Sequence, residues 1–279
     1  MSLFTPRYKR LFQAQFSAGW SQMLALLVFV LAATILASGQ TSDPQAVALA
    51  QKAATALSGG QATSDIGLVG NASRTDGSTT VAGPVGLRAT AAHLSRVDFS
   101  ASPDVKAEFR DSSAAIPTGS YIDGTGTLHA IALHNCWIDV SWFSPNLSLL
   151  TNTSDATLVF RYIGTETHQG TAVEHIQVKR YLTGRSPDVK VLVSKLSTTE
   201  IYLNKATALP LAIGFNVHPD TNALSDTPVE VDFSDYRALP SGQMVPFSVV
   251  RHQGGVVLNI QLSSALVNSG ASPSALTSH

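Results

Sequence analysis

Cysteine is almost absent from this chain, with Cys136 the single one in 279 residues. One thiol cannot form a disulfide within the chain, and it also excludes zinc or iron–sulfur sites built from several cysteines of one chain. Cys136 is therefore compatible with an oxidising compartment only as an isolated buried residue that behaves as a small hydrophobic side chain.

Charged residues are also scarce. They make up 13% of the sequence, about half of the roughly 25% typical of globular proteins. Lys and Arg number 18 against 19 Asp and Glu, and no basic run occurs. Nucleic-acid binding without sequence preference depends on a positively charged surface. We therefore expect no nucleic-acid partner for this protein.

The N-terminus has the charge pattern of an exported protein. Arg7, Lys9 and Arg10 precede an uncharged apolar run from Met23 to Ala37, and the first acidic residue is Asp43. A basic start, an apolar run and small residues after it are typical of a signal peptide. The pattern predicts a signal peptide over residues 1–39.

The end of this segment leaves two alternatives open. The small residues Ala37, Ser38 and Gly39 form a plausible peptidase site, so that the mature chain would begin near Gln40. Alternatively, the stretch from Phe16 to Ala37 just reaches the roughly 20 residues that span a bilayer, and it would remain as a membrane anchor. Both alternatives place the rest of the chain in the periplasm or an equivalent exported location.

A single helix is predicted at the start of the mature chain, over Pro44–Leu57. Ser42 or Asp43 can cap it, Pro44 lies in its first turn, and the pair Gly59-Gly60 ends it. The apolar stripe of this helix has helical spacing and consists of Val47, Ala50, Ala54 and Leu57. Such a short helix needs an apolar surface to pack against.

From Asp65 onward the hydrophobic period changes to two, which predicts antiparallel strands separated by Gly, Pro, Asn and Asp. Strand-like runs are Ile66–Gly70, Thr79–Thr90, Leu94–Ala101, Val105–Arg110, Leu128–His134, Leu158–Ile163, Ala172–Tyr181, Val189–Leu196, Glu200–Asn204, Leu211–Val217, Val229–Asp235, Met244–His252 and Val256–Ser263. The fold class is therefore mainly β, with about a dozen strands whose alternate residues meet an apolar interior.

One apolar and aromatic stretch interrupts the strand pattern. Trp142–Leu150 reads better as a short helical crossing than as a strand, and Pro145 limits its helix to short pieces. The tail from Ser269 to His279 is rich in Ser, Ala and Pro, and we expect it to be disordered. The folded part is thus predicted as a single domain over residues 40–268.

Two groups of residues could carry metal or acid–base chemistry. His129, His134 and Cys136 lie within eight residues of one another. On a strand, however, His129 would face away from the other two, which argues against a shared site. The second group flanks a hairpin turn at Gln169-Gly170 and consists of Glu166, His168, Glu174 and His175. Cross-strand pairs of this kind are common on protein surfaces.

The sequence motifs of common enzymes are absent. The chain contains no G-x-S-x-G, no H-E-x-x-H and no G-x-x-x-x-G-K-[ST]. We therefore expect a protein that is not an enzyme and that has no catalytic residues, metal site or cofactor. A metal-dependent or hydrolytic enzyme that uses one of the two histidine groups is the alternative.

Several parts of the chain resemble the outer-membrane lipoprotein carrier superfamily, which includes lipoprotein-sorting proteins. After the capped helix come Phe160-Arg-Tyr-Ile-Gly-Thr-Glu166 with Gly170 and then Leu203-Asn-Lys-Ala-Thr-Ala-Leu-Pro210. The series closes with Phe233-Ser-Asp-Tyr-Arg237, Pro246-Phe-Ser and Val257-Leu-Asn-Ile-Gln261. The resemblance covers roughly residues 46–268. It implies a strongly curved antiparallel sheet, an incomplete barrel, wrapped around the N-terminal helix, with a helical lid over an apolar cavity for acyl chains.

The resemblance also implies a function, namely a periplasmic carrier or sensor of lipid or lipoprotein acyl chains. Such a protein would meet membranes only transiently or through its N-terminal segment. The family's ligand-handling arginine has three possible counterparts here, Arg74, Arg88 and Arg96. A structural or protein-binding envelope module with a solid core is the alternative. Candidate ligand-binding residues on the concave face are Phe99, Phe109, Trp137, Trp142, Phe143, Leu147 and Phe160.

Overall fold

One antiparallel sheet contains all thirteen strands of the chain that the structure describes. The structure is a computed structural model, and it describes residues 41–271 and Leu276. The predicted signal peptide or anchor lies outside these residues. The strands are β1 (Asp65–Asp76), β2 (Thr79–Thr90), β3 (Leu94–Asp98), β4 (Val105–Asp111), β5 (Thr118–Asp123), β6 (Leu128–Ala130), β7 (Leu158–His168), β8 (Thr171–Arg180), β9 (Thr199–Asn204), β10 (Pro210–Val217), β11 (Thr227–Ala238), β12 (Met244–Gln253) and β13 (Val256–Val267).

The order of the strands leaves the sheet open between β6 and β7. Strands that follow one another in the chain are neighbours within β1–β6 and within β7–β13, and β1 pairs with β13 in the middle of the sheet. The strongly curved, unclosed sheet wrapped on a helix confirms the predicted fold class. Because β6 and β7 are the two edges, the chain that connects them passes from one edge of the sheet to the other.

The N-terminal helix, α1 (Pro44–Ser58), forms as its sequence predicts. The Asp43 carboxylate accepts a hydrogen bond from the Gln45 N–H at 2.8 Å, and Gly59 ends the helix with a φ of +56°. The stripe that packs on the sheet consists of Ala46, Ala50, Ala53 and Leu57, each at most 1% exposed. The buried stripe is therefore rotated slightly around the helix from the predicted one, since Val47 and Ala54 are only half-buried.

Strand alternation builds the apolar concave face. Val229, Val231 and Phe233 of β11 are buried, as are Ile260 and Leu262 of β13, and these are the inward positions that the period of two predicts. Together with α1 they form one hydrophobic core. The opposite side of the sheet is called the outer face below.

The predicted strand Val189–Leu196 is wrong, because Pro187–Leu196 is a helix, α2. Its alternating valines suggested a strand, but Pro187 at the first position, Asp188 in the first turn and Lys195 in the last turn favour a helix. Only Val193 and Leu196, three residues apart, are buried in it.

Strand β5 was missed because none of its residues is buried, so that backbone pairing alone defines it.

The predicted disordered tail begins with two ordered residues. The Ser269 and Gly270 N–H groups donate to the Asp65 carboxylate at 2.9 and 3.1 Å. Leu276 is 1% exposed, and the other residues of the tail beyond residue 271 lie outside the described part. No helix within residues 41–271 is long and apolar enough to cross a membrane.

Candidate functional site

The connection between the two edge strands crosses the concave face. Every residue from Asn135 to Leu150 is buried, and we call this stretch the crossing segment. It contains a 3₁₀ turn at Pro145–Leu147, and a second one, Leu149–Thr151, begins at its end, as expected for helical pieces shortened by a proline. Trp142, Phe143 and Leu147 join the main hydrophobic core from this segment.

Polar side chains tie the crossing segment to its surroundings. The buried Asp139 carboxylate accepts hydrogen bonds from the N–H groups of Ser141 at 2.9 Å and Leu149 at 2.8 Å. The Asn146 side-chain amide donates to the carbonyl groups of Leu57 in α1 and Met244 in β12, at 3.3 and 3.1 Å. Burial raises the pKa of Asp139 above its ordinary value, although the hydrogen bonds from the Leu149 and Ser141 N–H groups partly oppose that effect.

Between the crossing segment and the sheet lies a cavity of about 280 Å³. Its apolar walls are Val97, Phe99, Val105, Trp142, Val256 and Leu258. Its polar lining is Arg74, Ser102, Asp104, Glu108, Arg251 and Gln253. An apolar pocket with a few polar groups is the usual form of a small-molecule site.

Two charged side chains of the cavity point inward, and one of them, Arg251, occupies a position that is apolar elsewhere in its strand. Arg251 follows Val245, Phe247 and Val249 along the inward side of β12, and its guanidinium group lies 4.9 Å from the centre of the Trp142 ring. Its Nε is buried without a hydrogen-bond partner in the described chain. Inward-facing charges on otherwise apolar strands are the signal by which sequence reasoning could have found this residue.

The second inward charge, Glu108, pairs with arginine. Its carboxylate accepts a hydrogen bond from Arg110 Nε at 2.7 Å. Burial by itself raises the pKa of Glu108, but the charges of Arg110 and Arg251 outweigh it, so that the pKa lies below its ordinary value. Burial lowers the pKa of Arg251, and the Glu108 charge opposes this effect. Glu108 therefore carries a negative charge inside the cavity.

The structure brings together part of the predicted ligand-binding set. Phe99, Trp142, Phe143, Leu147 and Phe160 share the main core, and among them Phe99 and Trp142 line the cavity. Phe143 and Phe160 are completely buried and serve as core residues.

The other two predicted residues lie elsewhere. Trp137 packs with Val193 and Leu196 beneath α2, in a separate cluster. Phe109 pairs in register with Arg96, whose guanidinium group lies 4.5 Å from the ring centre. Because its neighbour Glu108 faces the cavity, strand alternation places Phe109 on the outer face.

Of the three candidate arginines, Arg74 lines the cavity, where it forms an ion pair with Asp104 at 2.7 Å. Arg88 and Arg96 both pair with Asp98, at 3.6 and 2.7 Å. They stand opposite each other on neighbouring strands, on the outer face with Phe109.

The first histidine group does not form a shared site. His129 pairs with Asp123 at 2.7 Å, while His134 Nε2 lies 3.1 Å from the Pro219 carbonyl oxygen. The strand predicted over Leu128–His134 ends at Ala130, and the Cys136 thiol lies 3.6 Å from the Ala132 carbonyl. Burial raises the pKa of this thiol.

The second group divides among three sets of partners. His175 lies between Glu166 and Glu200, with nitrogen-to-oxygen distances of 3.0 and 2.9 Å. The Glu174 carboxylate accepts a hydrogen bond from the Tyr162 hydroxyl at 2.8 Å. His168 instead approaches Glu230 on β11, a partner about sixty residues away that no local pattern indicates.

None of the protein-family models matches the sequence, and no curated protein matches it significantly. Solved structures do share its fold. An outer membrane lipoprotein-sorting protein domain from Vibrio parahaemolyticus has a TM-score of 0.55 at 12% identity, over 84% of this chain and 96% of that one. A DUF1329 family protein from Desulfovibrio piger has a TM-score of 0.54 at 14% identity, over 84% of this chain and 100% of that one. At these identities the likeness is one of fold, and this chain has the fold of an outer membrane lipoprotein-sorting domain.

Proposed function

We propose that this protein is an exported, non-enzymatic carrier or sensor that holds a lipid or lipoprotein acyl chain beneath the crossing segment. The observation that carries the proposal is the cavity of about 280 Å³ between Trp142 and the concave face. Its apolar walls suit an acyl chain, and Arg74 and Arg251 suit a polar or anionic end group. The fold shared with a lipoprotein-sorting domain supports the same function.

Ligand uptake by delipidated protein tests this proposal. We expect a fluorescent fatty acid to bind with an increase in fluorescence. Val97→Phe, which fills the cavity, should weaken binding at least tenfold. Val69→Phe is the matched control, because Val69 is 53% exposed and lies away from the cavity lining. Absence of uptake by the unmodified protein, or equal effects of the two variants, would contradict the proposal.

A second candidate function is a structural or protein-binding envelope module with a solid core. The fully buried crossing segment favours it, because these residues already fill much of the concave face. The cavity also lies slightly below the range of about 300–1,000 Å³ usual for ligand sites. Failure of the uptake assay together with an unchanged fold would support this candidate.

Export itself is tested by cell fractionation and mass spectrometry. We expect the protein in the periplasmic fraction with its N-terminus near Gln40. A full-length chain recovered with membranes would favour the anchor over residues 16–37, and a cytoplasmic chain would contradict export.

A further inference from the structure

The outer face carries a compact group of carboxylates and imidazoles, on the side of the sheet opposite the concave face. Glu230 and Asp232 are two residues apart on β11 and therefore point to the same side. His168 Nε2 lies 3.6 Å from Glu230 Oε1, and the ligand atoms of His168, Glu230 and Asp232 all lie within 4.8 Å of one another. His252, paired in register with Glu230 on β12, places its Nε2 3.2 Å from Asp232 Oδ2. We call these four residues the outer-face cluster.

The hairpin between β7 and β8 positions His168 for this contact. The turn residues Gln169 and Gly170 have φ angles of +47° and +76°. Beneath the turn, the imidazole ring of His168 stacks on Tyr202, with ring centres 4.0 Å apart and planes 10° from parallel. This stacking restricts the orientation of the imidazole, as the supporting contacts of metal-binding histidines do.

The two carboxylates of the cluster have no lysine or arginine partner among the described residues. Within the described chain no Lys or Arg lies within 4.0 Å of Glu230 or Asp232, whose charged partners are the imidazoles of His168 and His252. The Gln169 amide donates hydrogen bonds to both carboxylates, at 3.2 and 2.7 Å. His168 Nε2 is buried and has no hydrogen-bond partner in the part of the chain that the structure describes.

The electrostatic surroundings are negative. Burial raises the pKa of Tyr202 and the charges of Glu200, Glu166 and Glu230 raise it further. A groove of about 570 Å³ opens beside the cluster and is lined by Glu200, Tyr202, Gly214, Glu230 and His252 among others. Gly214 pairs with both Glu200 and Glu230, so the absence of its side chain leaves this groove open to an ion.

We propose that the outer-face cluster binds one divalent transition-metal ion of the Zn²⁺ type. Zinc takes imidazole nitrogens and carboxylate oxygens at about 2.0–2.2 Å in a tetrahedral arrangement, in which ligand atoms are about 3.3 Å apart. Two separations within the cluster, 3.6 Å between His168 and Glu230 and 3.2 Å between His252 and Asp232, are close to that value. Two imidazoles favour Zn²⁺ over Ca²⁺ or Mg²⁺, which prefer oxygen ligands. The ion would displace the Gln169 amide, and the site is independent of the proposed lipid cavity on the opposite face.

Zinc titration of purified, EDTA-treated protein tests the proposal. We expect calorimetry to show saturable one-to-one binding at micromolar zinc. The isosteric double variant Glu230→Gln/Asp232→Asn should weaken this binding at least tenfold. Glu166→Gln/Glu174→Gln is the matched control, because it removes two charges from the neighbouring β7–β8 hairpin but leaves the outer-face cluster and the groove lining intact. The control should change the dissociation constant by less than threefold.

Histidine ring signals in NMR spectra provide a readout that needs no variant. Stoichiometric zinc should shift the ring signals of His168 and His252 much more than those of His175, which packs on the other side of the Tyr202 ring with 4.4 Å between ring centres. Absence of saturable binding would overturn the proposal. It would also be overturned if the control variant weakened binding as much as the cluster variant, because zinc would then respond to the overall charge of this surface. A larger shift of the His175 signals than of the His168 and His252 signals would overturn it as well, because zinc would then bind the neighbouring Glu166–His175–Glu200 group.

Discussion

At the scale of single residues, Trp142 connects the core to the cavity. It is 3% exposed, packs edge-on against Phe143 with ring centres 5.5 Å apart, and carries the Arg251 guanidinium group over its ring. We expect Trp142→Ala to lower the free energy of unfolding by about 3–5 kcal/mol, because it removes core contacts and leaves a void. Urea denaturation measures this loss. Trp142→Phe, which keeps an aromatic ring, should cost less, and a negligible effect of the alanine variant would show that Trp142 is not a core residue.

Asp139 makes stability depend on pH with a definite sign. Its pKa is raised in the folded protein, so its contribution to stability is complete below the ordinary pKa of 3.8 and is lost as the pH rises through the higher folded value. We expect Asp139→Asn to flatten this fall. The free energies of unfolding of the unmodified protein and of the variant are measured from pH 4 to pH 8. The difference between them separates the effect of Asp139 from that of carboxyl groups whose pKa is lowered. Parallel curves for the two proteins would show that Asp139 does not titrate as described.

At the scale of elements, the end of α1 depends on a close backbone approach. A Cβ atom on Gly59 would lie 2.2 Å from the Gly242 carbonyl oxygen, and the φ of Gly59 is +56°. Gly60 has a φ of +85°, but nothing lies within 4 Å of a Cβ atom there. Gly60→Ala is thus the matched control, with an expected cost of about 1 kcal/mol. Gly59→Ala should cost about 1–3 kcal/mol more in thermal or urea unfolding, and equal costs would contradict the close packing of α1 on the Leu239–Gln243 turn.

The crossing segment can act as a movable lid or as a fixed plug, and hydrogen exchange separates the two. The carrier proposal expects the Ser141 and Leu149 amides to exchange faster than those of Val229–Phe233 and to slow when lipid is added, because lids belong to the less stable parts of a fold. A plug exchanges at the global unfolding rate and does not respond to lipid. Exchange as slow as that of Val229–Phe233 in lipid-free protein would therefore rule out the lid.

At the scale of the whole molecule, α1, the crossing segment and the sheet share one core. If the crossing segment is part of that core at all times, tryptophan fluorescence and circular dichroism should report the same unfolding midpoint in urea. In the chain from residue 40 onward, fluorescence monitors Trp137 and Trp142 in the segment, whereas circular dichroism monitors the sheet. Under the carrier proposal we expect the fluorescence change to begin at lower urea and to move to higher urea with bound lipid. Coincident transitions that lipid leaves unchanged would favour the solid-core module.

Local sequence patterns were sufficient to predict an element where the hydrophobic period and the capping residues indicated the same structure. They predicted α1 from Asp43 to Gly59, the strand positions of Val229–Phe233, and the short helical pieces around Pro145. They failed at α2, where alternating valines resemble a strand although the proline and charge placement favour a helix. They also missed β5, because a strand held by backbone hydrogen bonds to β4 and β6 need not bury alternate side chains.

The sequence by itself therefore determined the β-rich class, the capped helix and the inward face of most strands, because these depend on residues a few positions apart. The tertiary structure decided which residues share a site. Arg251 meets Trp142 in the cavity, and His168 meets Glu230 and Asp232 on the outer face, only because the order of strands in the sheet brings distant segments together. It also moved Phe109 and Trp137 away from the cavity, since one step along a strand reverses the face and α2 covers a second small core. Contacts between segments far apart in the chain depend on register and packing, which no local pattern encodes.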